Sequence, residues 1–139
     1  MATFRVGFFP DFNWGDNAVL IGADRDGMRI FQSAVRSAHD DGAATFELDA
    51  IKHHVVRQDG AADIELGPQT VVWRFDDGRL VEMLNLIEPL VDTEGPGHQY
   101  VDDLNSPAET LILSVDQYAD GGPFAVFPHG EPVPPAVDS

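Results

Sequence analysis

Two stretches of the chain, residues 18–66 and 69–115, carry the same four patterns in the same order, and this internal repeat is the strongest constraint on the fold. Each copy starts with a short apolar run and an acidic turn ending in Asp-Gly, as in AVLIGADRDG and QTVVWRFDDG. A helical pattern, a strand-like segment ending in Asp and a final alternating run follow. This order predicts two β-α-β-β units.

Each helical pattern presents a single apolar stripe. Met28, Phe31 and Val35 recur at three- and four-residue spacing in the first copy, and a broader stripe starts at Leu80 in the second. A helix with one apolar side covers a sheet with that side. We therefore predict an α+β domain in which both helices lie on one face of one mostly antiparallel or mixed sheet. The residues expected to form its core are Phe31, Val35, Val72, Leu84, Ile87, Leu111 and Leu113.

The acidic turns before the helices are predicted to be helix caps. Asp24 or Asp26 in the first copy, and Asp76 or Asp77 in the second, can accept from first-turn N–H groups. The first turn also resembles the opening of a calcium loop. However, the twelfth position of such a loop would be Val35, which has no ligand oxygen on its side chain.

Composition divides the chain into a domain at residues 1–118 and an arm at 119–139, which contains five prolines and three glycines. Prolines at this density exclude a helix or a central strand. The first half of the arm is expected to pack on the body or on a neighbour, and its last eight residues to be loose. Segments 10–17 and 49–61 are predicted to be loops or turn-rich connections.

The charge of the chain is strongly negative and unevenly distributed. Twenty-four acidic residues face eight Lys and Arg, giving a net charge of −16. All eight basic residues lie before residue 80, and residues 80–139 contain 11 acids. Such a surface repels nucleic acids and anionic membranes, and it favours a basic protein partner. The simpler interpretation is that the acidity keeps a small protein soluble.

Metal, cofactor and nucleophile motifs are not apparent. The chain has no cysteine, Gly-rich phosphate loop or GxSxG motif. His53 and His54 follow Asp49, but adjacent side chains in an extended segment point to opposite sides and do not readily hold one ion. We expect two polar loop histidines, no metal, no cofactor and no catalytic residue.

The segment HQYVDD at 98–103 is the strongest candidate for a functional site in the sequence. His98, Tyr100 and Asp102 would share one strand face at two-residue spacing, with Asp103 beside them. Such a row could act as a general acid or base, form a binding surface, or be a satisfied polar group at a sheet edge.

Four aromatic residues, Phe8, Phe9, Phe12 and Trp14, surround a second acidic segment. Aromatic side chains beside acids are typical of an interface anchor. Alternatively, they close the open end of the sheet. The predicted binding residues are Phe12, Trp14, His98, Tyr100, Asp102 and Asp103.

GHQYVDD at 97–103, followed by ETLILSVDQY at 109–118, resembles a group of small immunity proteins from bacterial polymorphic, contact-dependent toxin systems. The resemblance implies a non-enzymatic α+β protein that neutralises a toxin by tight binding. We therefore expect a cytoplasmic binding protein with a basic protein partner. Two alternatives stay open: an oligomeric structural or regulatory module, for example a homodimer, and a small hydrolase or isomerase using His98 and Asp102.

Overall fold

The computed structural model describes residues 2–13, 15–116, 124, 130 and 131, and for residues 11 and 13 it describes the backbone only. Eight strands and two helices follow one another along this part of the chain. They are β1 (Phe4–Asn13), β2 (Asp16–Ala23), α1 (Arg25–Asp41), β3 (Ala43–Leu48), β4 (Ile51–Arg57), β5 (Ala62–Leu66), β6 (Thr70–Phe75), α2 (Asp77–Asp92), β7 (Gly97–Val101) and β8 (Thr110–Val115).

The strands form two mixed four-stranded sheets. Sheet A has the order β1-β2-β8-β7, and sheet B has the order β3-β4-β6-β5. The central pairs, β2 with β8 and β4 with β6, are parallel, and the outer pairs are antiparallel. The predicted α+β class and the two repeated units are confirmed. The strands are divided between two sheets, however, and do not form the single sheet that the sequence predicted.

The two halves of the fold, residues 4–57 and 62–115, contain the same series of elements. Each half runs strand, strand, helix, strand, strand. Sheet A joins the first strand pair of the first half to the second pair of the second half, and sheet B does the reverse. Neither half can therefore complete a four-stranded sheet alone. The segment ADIEL at 62–66, which the sequence analysis placed at the end of the first copy, is β5 and opens the second half.

Both helices begin at the predicted acidic caps. The Asp24 carboxylate accepts from Gly27 N at 2.7 Å, and the Asp76 carboxylate accepts from Arg79 N at 2.9 Å. α1 ends at Gly42, whose φ of 96° is the left-handed conformation that glycine adopts without strain. Pro89 lies in the last turn of α2, as predicted. The aspartate at the start of each helix thus caps the helix by accepting a hydrogen bond from a backbone N–H group.

One core lies between the sheets and the helices and is shared by both halves. Four pairs of buried helix residues stand 52 positions apart: Met28 and Leu80, Phe31 and Met83, Val35 and Ile87, Ala38 and Leu90. The prediction of burial is confirmed for five residues: Phe31, Val35, Ile87, Leu111 and Leu113. Leu84 is only half-buried against this core. Val72 pairs with His54 and Glu65 on the outer face of sheet B, because Val71, Trp73 and Phe75 take the inward positions.

Two predicted loops are largely strand. Residues 51–57 form β4, and β1 extends to Asn13, with a register shift in its pairing between Phe9 and Asn13. The tight turn before β4 explains the first error. Asp49 and Ala50 both have positive φ, 53° and 64°, and form a two-residue hairpin turn without the glycine that usually marks one. Polar histidines in the strand concealed its pattern.

The outer faces of the two sheets differ. Sheet A has a second apolar cluster there, formed by Phe9, Ala18, Leu20, Ile112 and Phe124. Phe124 belongs to the predicted arm, and Glu131 N donates to Phe8 O at 2.8 Å. Most of the arm, including the end predicted to be loose, lies outside the described residues. On sheet B, Arg74 binds Asp63 and Glu65 at 3.0 Å each, so this outer face is held by ion pairs. Within the described part, no helix is long and apolar enough to cross a membrane.

Candidate functional site

The exposed side chains of β7 form the centre of the candidate site. β7 is an edge strand of sheet A, and among the described residues it pairs with β8 alone. His98 and Tyr100 project from the same side, and their rings meet edge to face with centroids 5.4 Å apart. Tyr100 is 44% exposed, one of three large apolar side chains that reach solvent to this extent in the described residues. The amphipathic ring of Tyr100 is thus exposed to solvent on an edge strand.

The loop after β7 is fixed by the one arginine of the second helix. The Asp102 carboxylate accepts from Thr110 Oγ1 at 3.3 Å, and Asp103 has a φ of 62°. The Arg79 guanidinium donates to the carbonyl oxygens of Asp102 and Asp103 at 2.8 and 3.0 Å, and it also pairs with Glu82 at 3.0 Å. The structure therefore brings together four of the predicted binding residues, His98, Tyr100, Asp102 and Asp103. We call these four residues the acidic edge.

The segment of the chain that leads to this edge is strongly acidic. Between residues 77 and 103 the chain contains seven acids and one base. That base, Arg79, is engaged with two backbone carbonyls and Glu82. Six of the acids are exposed: Asp77, Glu88, Asp92, Glu94, Asp102 and Asp103. The segment that contains α2, β7 and the acidic edge therefore has a net charge of −6, which its own half of the chain does not neutralise.

Phe12, another of the predicted binding residues, lies apart from the acidic edge. Phe12 lies on β1, at the opposite edge of sheet A, with β2 and β8 between it and β7. Its ring is half-buried against Phe9, with centroids 6.1 Å apart. Phe8 and Phe9 are buried, so the packing alternative holds for them. Trp14 lies outside the described residues.

The catalytic alternative requires His98 and Asp102 to act together. In the described structure His98 contacts the Tyr100 ring, whereas the Asp102 carboxylate accepts from Thr110. No hydrogen bond links the two groups among these residues. His98 lies on β7 and Asp102 in the loop after it, each with a different partner.

His53 was predicted to lie in a loop, but it is a core residue. It lies in β4, is fully buried, and stacks on Phe46 with ring centroids 4.5 Å apart. Trp73 Nε1 donates to His53 Nδ1 at 3.1 Å, so the other ring nitrogen, Nε2, carries the proton. Burial, aided by His54, lowers the pKa of His53 to about 4. His53 is therefore neutral at physiological pH.

A narrow cleft between the sheets reaches His53. It is lined by Phe4, Arg5, Val6, Asp49, Ile51, His53, Leu66, Gly67 and Val71 and has about 30 Å³ of room for the centre of a water molecule. His53 Nε2 is buried without a hydrogen-bond partner in the structure. A cleft of this size takes one water molecule rather than a substrate. His54 points away from the core, and the described residues contain no group of His, Asp and Glu arranged to hold a metal ion.

The comparisons with known proteins bear on the fold alone. No protein-family model matches the chain, and no curated protein matches it. Among solved structures, the crystal structure of Drosophila Suppressor of Fused is similar, with a TM-score of 0.50 and 14% sequence identity. The match covers 72% of this chain and 24% of that one, so the chain spans about a quarter of the neighbour's length.

Proposed function

We propose that the chain is a non-enzymatic binding protein whose acidic edge binds a basic protein partner. The observation that carries the proposal is the exposed His98 and Tyr100 ring pair on an open edge strand, next to unneutralised carboxylates. An interface needs a buried aromatic anchor at its centre and polar groups at its rim. Tyr100 fits the first role, and Asp102 and Asp103 fit the second.

Charge supports a basic partner in particular. The exposed acids around the edge attract a positive surface during diffusion and accelerate encounter, mostly through the association rate. They also disfavour DNA, RNA and anionic lipid, since all three carry negative charge. We place the protein in the cytoplasm as part of the proposal, because a chain without cysteine needs no oxidising compartment to fold.

We further propose that the partner is a toxin, which would make the chain an immunity protein. The segments that resemble such proteins, GHQYVDD and ETLILSVDQY, include β7, the loop that Arg79 fixes, and β8. The resemblance therefore falls on the acidic edge and its support. Nuclease toxins are basic since they bind phosphate, and an acidic inhibitor is complementary to such a surface.

Site-specific photocrosslinking in the native host tests the proposal. A benzoylphenylalanine residue replaces Tyr100 in one variant and Thr45, the equivalent residue on β3, in a second. We expect the Tyr100 probe to capture a basic protein and the Thr45 probe not to capture it. Adding Asp102→Asn and Asp103→Asn should weaken the capture, because it removes the two rim charges.

The activity of the captured protein then distinguishes the general proposal, that the chain binds a basic protein, from the narrower one, that this protein is a toxin. Loss of its nuclease or other toxic activity on addition of the chain would support an immunity function. A captured basic protein without such activity would support binding but contradict the toxin assignment. If both probes captured the same proteins, or the proteins captured through Tyr100 were acidic, the acidic edge would not be the binding site.

A further inference from the structure

β3 is the other open edge of the fold. Of the four sheet edges, β1 is covered where Glu131 N donates to Phe8 O at 2.8 Å. β5 is covered where Ile64 N donates to Ser106 O at 3.0 Å. β3 runs for six regular residues beside β4, and among the described residues no other strand pairs with it. It contains neither proline nor bulge, the devices that usually protect an edge.

The backbone of β3 has free hydrogen-bonding groups at every second residue. Arg57 N donates to Gly42 O at 2.9 Å, and the two-residue turn joins the pair Leu48–Ile51 at the other end. Antiparallel pairing alternates between bonded and non-bonded positions, so residues 42, 44, 46 and 48 face β4. The N–H and C=O groups of Ala43, Thr45 and Glu47 consequently point away from the sheet, where another strand can pair with them.

An apolar groove lies beside this edge, between β3 and α1. It has a volume of about 370 Å³ and is lined by Arg29, Ile30, Ser33, Ala34, Ser37, Ala44, Thr45 and Phe46. Ile30 is 36% exposed on its helix side, and Phe46 is half-buried. A strand added to β3 would cover both side chains, so backbone pairing and apolar burial would act together.

Charge decides which strand fits here. The segment 24–57, which contains α1, β3 and β4, has six acids and five bases. The equivalent segment 76–115 has nine acids and one base. A basic partner is therefore attracted to β7 far more than to β3. Two copies of a chain with a net charge of −16 repel each other, and an approach through the nearly neutral β3 edge meets less repulsion than one through the β7 edge.

We infer that two copies of the chain associate by pairing their β3 strands antiparallel about a symmetry axis at Thr45. This axis places Thr45 opposite Thr45 of the second copy, a favourable cross-strand pair. It places Ala43 opposite Glu47 of the second copy, so no like charges face each other directly. The two sheets B become one eight-stranded sheet, and the two grooves join and cover both Ile30 side chains.

Sedimentation velocity of the full chain over a concentration series tests this inference. We expect a monomer–dimer equilibrium that shifts toward the dimer as salt screens the net negative charge. Thr45→Pro removes an outward N–H and should weaken the dimer by about tenfold or more, while edge strands tolerate proline at such positions. Tyr100→Pro, at the equivalent position of β7, is the matched control and should leave the dimer unchanged.

A second pair of variants guards against a folding defect in the proline variant. Ile30→Asp should weaken the dimer, and Val81→Asp, which alters an exposed apolar residue of α2, should not. A wild-type chain that stays monomeric at every concentration would overturn the inference. So would a dimer that resists both Thr45→Pro and Ile30→Asp, or one that dissociates with Tyr100→Pro.

Discussion

The two open sheet edges, β3 and β7, hold equivalent positions in the two halves of the molecule, yet they differ in chemistry. Thr45 pairs with His54 of β4, and His54 lies three residues before Arg57. Tyr100 pairs with Ile112 of β8, and Ile112 lies three residues before Val115. Arg57 and Val115 are the last paired residues of the two parallel strand pairs, β4 with β6 and β2 with β8. The repeat therefore supplies the same exposed strand twice. Side chains and charge distinguish the two, and on this basis we propose that one edge binds a second copy and the other a basic protein.

The outer faces of the sheets show the same divergence. Ile112 and Leu20 make the outer face of sheet A apolar, and Phe124 covers it. The outer face of sheet B at Arg74 is polar and stays in contact with water. A covered face tolerates apolar residues that an open one does not, because exposed apolar surface favours association. The two sheets thus share a core and differ on their outer faces.

The shared core gives the largest expected effects. Phe31→Ala removes a ring that packs 4.9 Å from Trp73 and 5.0 Å from Phe4, and should cost about 3–5 kcal/mol of unfolding free energy. Met83→Ala, at the equivalent position, should cost about 2–5 kcal/mol. Urea unfolding followed by circular dichroism measures both. Each variant should shift one cooperative transition, and two separate transitions would show that the halves fold independently.

The outer faces should respond unequally to truncation. Phe124→Ala removes the buried ring 5.1 Å from Phe9 and should cost about 3 kcal/mol, the usual loss for a buried aromatic residue. Arg74→Ala breaks ion pairs at a partly exposed site and should cost at most about 1 kcal/mol. Thermal melts of the two variants compare them. Equal losses would mean that the apolar cover does not stabilise sheet A.

Acid should destabilise the fold through His53. Burial holds its pKa at about 4, against 6.5 for a free histidine, so the unfolded chain binds one more proton between these values. This contribution to stability is complete above about pH 6.5 and falls by about 1.4 kcal/mol per pH unit, to a total loss of about 3 kcal/mol near pH 4.

His53→Leu places at this position the residue found at the equivalent Leu111. The substitution should cost about 1–3 kcal/mol at neutral pH, since the Trp73 indole N–H loses its acceptor. Urea unfolding across this pH range should then show a smaller loss in acid than in the wild type. His98→Gln, at an exposed histidine, is the control. An unchanged slope in His53→Leu would contradict the role of His53.

Among these comparisons, the two helix-cap variants should show the smallest difference in the free energy of unfolding. Asp76→Ala removes one backbone acceptor and should cost about 1 kcal/mol. Asp24→Ala should cost more, because its carboxylate also accepts from Thr3 N at 3.0 Å. Urea midpoints of the two variants give the comparison. A larger loss for Asp76→Ala would mean that the bond to Thr3 adds nothing to the stability.

Sequence patterns predicted the parts of the fold that local rules control. The stripes of Phe31 and Ile87 and the aspartate caps depend only on residues within a few positions of each other. The division into two sheets depends on which strands pair across the halves, and no local pattern shows this. β4 was missed because His53 is polar by type but is stabilised in the core by Trp73 and Phe46, which are distant in sequence or paired across the hairpin.

The site was predicted in part for the same reason. Two-residue spacing places His98 and Tyr100 on one side of a strand, and that is a local property. Asp102 was predicted on the same side, but β7 ends at Val101 and Asp102 lies in the loop that follows. The hydrogen bonds from Arg79 to the loop are not a local property, since they join residues more than twenty positions apart. The aromatic prediction at Phe12 did not foresee the packing on Phe9 beside Phe124, which comes from the far end of the chain.

The most direct test of the central claim is the association rate of the partner captured through Tyr100, measured by stopped flow at low and physiological salt. Asp102→Asn with Asp103→Asn removes two exposed carboxylates at the acidic edge, and Asp40→Asn with Asp41→Asn removes two near the β3 edge. We predict that the first double variant slows association by about three- to tenfold at low salt, with less effect when salt is raised, and that the second changes it little. Equal slowing by both double variants, or a change confined to dissociation, would contradict the assignment of the partner to the acidic edge.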